Sequence, residues 1–151
     1  MMNKLNTGIL ITAFVGILVV SFFFAGEKSE LSSIKIGDKT WSVEVVSSIS
    51  DRSRGLSGRE FLEKDSGLLF IFPKEDVQGI WMKEMNFAID IIWVNEDFKV
   101  VGIKKDATPD TYPTVFRSEA PVLYVLEINT GEADMAKIEI GTLVEIFTNT
   151  P

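Results

Sequence analysis

The sequence predicts a mainly β protein, a compact antiparallel barrel or sandwich with one or two short helices, preceded by an N-terminal transmembrane helix. Three observations lead there. Gly8 to Ala25 is an uncharged, apolar run of 18 residues. Beyond it, six or seven short apolar or alternating segments recur between turn residues, within the 118 residues from 34 onward. Only two short stretches carry helical signals. Many short strands in so small a chain suit a closed or doubly layered β fold.

At 1.5 Å per residue the apolar run is roughly 27 Å long, close to the hydrocarbon thickness of a bilayer. Lys4 precedes it, and Glu27, Lys28 and Glu30 follow. The positive-inside rule then keeps residues 1–7 in the cytoplasm, makes 8–25 a signal anchor and sends the remainder outside. The competing reading is a cleaved signal peptide. Its processing site would need small residues, yet a cut after Ala25 or Gly26 places Phe23 or Phe24 at the third position back. Residues 26–33 are polar and aperiodic and read as a linker. Residues 34–151 then form a single β-rich domain.

In that domain Ile34–Ile36, the turn Gly37-Asp38-Lys39 and Thr40–Val45 read as a hairpin, with Trp41, Val43 and Val45 on one face. Ser50–Arg54 reads as a capped helical turn, ended by Gly55 and Gly58. Leu68–Phe72 is apolar on both faces and is expected to stop at Pro73. Ile89–Val94 returns through Lys99–Ile103 after the turn Asn95-Glu96-Asp97. Val122–Ile128 is another central strand. Glu132–Lys137 reads as a short helix, and Leu143–Phe147 as the last strand. Ala107–Pro121, with three prolines, reads as a long loop.

Charge and composition exclude much. Fifteen basic residues face 22 acidic ones, a net charge of −7. That argues against nucleic acid and gives no polybasic attraction to anionic lipid. There is no cysteine and no histidine. Disulfides, thiol nucleophiles, imidazole catalysis and Cys- or His-ligated metals are therefore excluded within this chain. The sequence implies no cofactor and no metal site, since its acids show no ligand spacing.

The anomalies are carboxylates inside apolar strands. Asp90 shares a face with Ile92 and Val94, and Glu127 shares one with Leu123 and Val125. A buried carboxylate is normally paired or protonated. The candidate partners are Arg52, Arg54, Arg59 and Lys83, with Arg54 or Arg59 favoured for their planar fork. Two readings stand side by side: a buried ion pair that sets strand register, and a polar site lined by Phe72, Trp81 and Tyr124. Asp90 and Glu127 together would also supply the carboxylate pair of a glycoside hydrolase. Trp41 and Trp93 fall in alternating strands and read as core. Trp81, after Gly79 and two before Lys83, reads as the wall of a cleft.

Several blocks stand in order: Arg54-Gly55-Leu56-x-x-Arg59, Gly67-Leu68-Leu69-Phe70-x-Phe72, Trp81-Met82-Lys83, Ile89-Asp90-Ile91-Ile92, and Tyr124-Val125-Leu126-Glu127 with Gly131. Together they resemble the family called domain of unknown function one-nine-two, or uncharacterised ancient conserved region, over about residues 41–147. The resemblance implies a compact β-rich fold, often exported or membrane-anchored, with no established activity. Its polar signature falls on Arg54, Arg59, Trp81, Lys83, Asp90 and Glu127, the candidate ligand-binding residues. Ser57 and Leu68 stand where the family pattern has methionine, Ile80 where it has an aromatic, and Glu84-Met85 where it has Asn-Thr. Ala88 replaces a proline.

The functional expectation is a membrane-anchored extracytoplasmic domain, a binding or accessory module at the cell envelope with an envelope ligand or protein partner. The alternatives are a hydrolase that uses Asp90 and Glu127, with glycans as the candidate substrate, and a structural partner of another envelope protein.

Overall fold

The computed structural model describes residues 32–148. The expected anchor at 8–25 and most of the linker lie outside the described residues. The described chain is mainly β, with two short α-helices. In order come β1 (Ser32–Ile36), β2 (Lys39–Val46), α1 (Ile49–Arg54), β3 (Ser66–Asp76), β4 (Gly79–Trp81), β5 (Ile89–Val94) and β6 (Val100–Ala107). A 3₁₀ turn (Pro109–Thr111), β7 (Val115–Arg117), β8 (Val122–Asn129), α2 (Glu132–Met135) and β9 (Val144–Phe147) follow.

Seven strands form one curled sheet in the order β6-β5-β8-β3-β2-β1-β9. Its two edges approach each other at a single bridge between Lys99 and Leu143. Backbone bonds from Val100 N to Thr142 O (3.0 Å) and from Val144 N to Phe98 O (2.9 Å) hold that seam. The sheet is thus a half-barrel. Its ladders are mostly antiparallel, as the sequence suggested, but β2 and β3 run parallel. The reason is the connection: residues 47–65 contain α1 and a glycine-broken loop, long enough to carry the chain back to the start of the sheet.

The expected hairpin forms between β1 and β2, with Ile36 opposite Lys39. Strand β1 starts at Ser32, inside the expected linker, because polar Ser32 and Ser33 still pair through their backbones with β2, and Ser33 also pairs with β9. Strand β3 runs past Pro73 to Asp76. The register with β8 breaks between Ile71 and Asp76, so the proline sits where no ladder bond is required. The expected long loop contains β7, which pairs with β4 as a separate two-stranded sheet. Three-residue strands carry too little alternation to be read from sequence.

Register explains the two-sided burial of the centre. Leu69, Leu126 and Ile92 lie opposite one another across β3, β8 and β5 and share one face; Leu68, Glu127 and Ile91 share the other. The first face packs with Ile34, Trp41, Ile128, Ala133 and Ile138 inside the curl. The second is covered by Leu56, Ile80, Met82 and Met85 from the segments around α1 and β4. Fully burying each such side chain stabilises the fold by about 1.5–3 kcal/mol. This outer layer also brings the α1 loop and β4 together over Glu127.

Candidate functional site

The wall of the site begins at α1. Ser48 caps the helix, its side chain accepting from Asp51 N. Gly55 ends it at φ 52° and ψ −131°, a backbone state that favours glycine. The turn lets Leu56 drop into the outer core. Ser57 Oγ donates to Lys83 O at 2.8 Å, and Gly58 N donates to Glu84 O at 2.8 Å. Those two bonds tie the α1 loop to the segment after β4. Arg52 donates to Ser47 O and to Ile71 O and lies 5.1 Å from the centre of the Phe72 ring. It serves as a strut.

Glu127 lies beneath this wall. It stands opposite Leu68 on one side and Ile91 on the other, in the middle of the apolar outer face. It is only 4% exposed, and its Oε2 has no hydrogen-bond partner. Burial pushes its carboxyl up to about 8, while the charge of Arg59 pulls the other way. The expected buried Arg–Glu pair does not form. The Arg59 guanidinium bonds the exposed Glu44 at 2.7 Å instead. Glu44 lies across Leu68 on the same sheet face, so it can hold Arg59 without giving up water. Glu127 is left neutral at pH 7.

A cavity of about 50 Å³ is lined by Glu127 together with Arg54, Gly55, Leu56, Trp81 and Met85, among others. It adjoins a groove of about 290 Å³ to which Ile49 and Phe72 contribute, and the two share Arg52, Phe70, Ile80 and Trp81. Trp81 is 46% exposed, as the cleft reading expects, while Trp41 and Trp93 are buried. Tyr112 meets the Trp81 ring edge-on at 6.0 Å, and Lys83 Nζ lies 5.7 Å from that ring. Lys83 flanks the wall rather than lining the cavity, and it lies 3.9 Å from Glu84. A larger groove of about 550 Å³ runs beside Glu44, Arg59 and Phe61, and its Arg59 and Glu44 are paired with each other.

Asp90 belongs elsewhere. It is 1% exposed and lies on the inner face of the sheet, opposite Ile128. Its carboxylate accepts from Asp106 N (2.9 Å) and Ala133 N (3.0 Å). The expected basic partner is absent because a register shift beside Asp90 and the first turn of α2 leave two backbone amides that need an acceptor. Asp90 and Glu127 therefore face opposite sides of one sheet, and a two-carboxylate cleft does not form.

Sequence reasoning missed three features. Glu132 is buried and accepts from Trp41 Nε1. Ser57 and Met85, which the sequence marks only as departures from the family pattern, line the cleft. Glu84 is exposed at φ 55°, with its carbonyl bonded by Gly58. What this position demands is a left-handed backbone, which the asparagine of the family pattern adopts more readily than glutamate.

The described chain is a curled β half-barrel, a small β-rich domain in which one buried acid lies beneath an aromatic cleft. The chain belongs to the DUF192 family, described as "Uncharacterized ACR", whose profile matches residues 32–146. No curated protein matches the chain. Among solved structures it is similar to a protein of unknown function from Novosphingobium aromaticivorans, at 28% identity and a TM-score of 0.71, covering 75% of this chain and 83% of the other. It is also similar to a Sinorhizobium meliloti protein designated a candidate transcription regulator, at 27% identity and a TM-score of 0.73, covering 80% of this chain and 98% of that one.

Proposed function

We propose that this protein is a ligand-binding or accessory module held at the cell envelope by residues 8–25, with its β domain outside the cytoplasm and its site in the Trp81–Glu127 cleft. One observation carries the binding reading. A buried acid with an unpartnered oxygen lines the same cavity as a half-exposed tryptophan. A plain core gains nothing from such a group, whose desolvation costs free energy until something pairs with it. The anchor reading is supported by the uncharged run from Gly8 to Ala25 behind Lys4. The regulator designation of the Sinorhizobium protein does not carry over, because a net charge of −7 opposes nucleic acid. Among the described residues Glu127 is the only carboxylate that lines the cavity, which favours binding over two-carboxylate hydrolysis.

Tryptophan fluorescence tests the cleft. Trp41 and Trp93 are buried, so iodide quenching reports Trp81. A small-molecule screen should find ligands that protect Trp81 from iodide, and Trp81→Ala should abolish their binding at a stability cost below about 2 kcal/mol. Ligands that bind equally well to the Trp81→Ala variant would place the site elsewhere.

A further inference from the structure

We propose that the cleft takes a small organic carboxylate with an apolar or aromatic body, its carboxylate seated between Glu127 and Arg54 and its body lying in the groove along Trp81 and Phe72. This rests on the cleft being the binding site and names the chemical class of its ligand.

Arg52 and Arg54 line the small cavity, Arg59 lies close to Glu127, and among the described residues no second carboxylate lines the cavity. The charged groups placed near Glu127 are Arg52 and Arg54 from α1, Arg59 from the loop after it, and Glu44 on β2, across Leu68; Lys83 and Glu84, after β4, flank the wall. Of these, Arg59 is paired with Glu44, and Arg52 is engaged by two carbonyls. Lys83 lies near Glu84. The exposed Arg54 side chain has no hydrogen bond or ion pair among the described residues. With Glu127 holding its proton, the pocket carries free positive charge and one buried O–H donor. That is a set of donors for an anion and a poor seat for an ammonium group.

Size and polarity select the kind of anion. A cavity of about 50 Å³ accommodates a carboxylate head and little more. The adjoining groove of about 290 Å³ has Ile49, Phe70, Phe72, Ile80 and Trp81 in its walls, with Arg52, Ser53 and Gly79 adding polar surface along it. A planar or aliphatic body would bury its surface there, and an indole face half open to solvent suits offset stacking. In the complex Glu127 Oε–H donates to one ligand oxygen and Arg54 donates to the ligand carboxylate, charge-assisted bonds that neither group makes within the described residues.

The site is therefore proton-linked. The ligand pairs with protonated Glu127, so affinity should fall as pH rises through about 8. A ligand ammonium would do the reverse, because it would prefer ionised Glu127.

The experiment uses three probes with one aromatic body: phenylacetate, phenylacetamide and phenethylammonium. Each is titrated into the full chain in lipid nanodiscs at pH 6 and pH 9. Binding is read from Trp81 protection against iodide and by calorimetry. The N-terminal 31 residues hold no tryptophan, so they do not contribute to the signal. Phenylacetate should bind best of the three at pH 6 and about tenfold more weakly at pH 9. Glu127→Gln, which keeps a donor, should flatten that pH dependence, and Arg54→Gln should weaken binding about tenfold at both pH values. Thermal unfolding of each variant checks that it is folded, and the wild-type pH profile needs no variant. If the ammonium or the neutral amide binds in the cleft and phenylacetate does not, the ligand class is overturned while the cleft stands. If none of the three perturbs Trp81, the ligand class and the cleft both fail.

Discussion

At the scale of single residues, Glu127 and Asp90 are two buried acids with opposite solutions. Asp90 is satisfied by two backbone amides, whereas Glu127 keeps its proton. The consequence for stability has a definite sign. The carboxyl of Glu127 ionises near 4.5 in the unfolded chain and at about 8 in the fold. Between those values the unfolded state has released a proton that the folded state retains, so stability falls as pH rises through that window, by on the order of 5 kcal/mol in all. Urea midpoints from pH 5 to pH 9 should show the decline for wild type and lose this contribution in Glu127→Gln. Parallel curves for the two proteins would mean that Glu127 is already ionised in the folded state. Asp90→Ala should cost about 2–4 kcal/mol by the same assay, because the Asp106 and Ala133 amides lose their acceptor. A loss below about 0.5 kcal/mol would show that water reaches those amides.

Among the elements, the α1 turn and the segment after β4 set the width of the cleft, and both depend on left-handed backbone. Gly55 has φ 52°, and a Cβ there would lie 3.5 Å from the Phe70 ring, in ordinary contact. The penalty of Gly55→Ala is thus conformational rather than steric, about 1–2 kcal/mol. Glu84 also sits at φ 55°, without glycine's freedom. Glu84→Asn should therefore stabilise the domain by up to about 1 kcal/mol. Thermal melts of the two variants should move in opposite directions. A stabilised Gly55→Ala would show that the turn relaxes freely and does not hold the wall.

For the whole molecule, the half-barrel brings its edges together at the Lys99–Leu143 seam and buries both faces of its centre. The proposed orientation of this domain outside the cytoplasm rests on Lys4 and the apolar run behind it. Protease added to spheroplasts should digest residues 34–151. Protection until the cells are lysed would overturn the extracytoplasmic placement.

Taken by itself, the sequence determined the mainly β class, the β1–β2 and β5–β6 hairpins, the central strands β3, β5 and β8, and the family. These follow from local periodicity and from turn residues that act over a few positions. It also singled out Asp90, Glu127 and Trp81, because a carboxylate inside an apolar strand or a tryptophan beside glycine is a local anomaly. Which acid is paired, and with what, was decided only by the tertiary structure. Asp90 meets amides from β6 and α2, and Glu127 meets the wall built from α1 and β4, partners distant in the chain. The parallel β2–β3 pairing and the short β4–β7 sheet also come from three-dimensional closure, since neither leaves a periodic mark. Face assignment is the physical reason that the two carboxylates separate. Once β5 and β8 pair, Ile91 lies opposite Glu127 and Asp90 opposite Ile128, and alternation sends the two acids to opposite sides of the sheet.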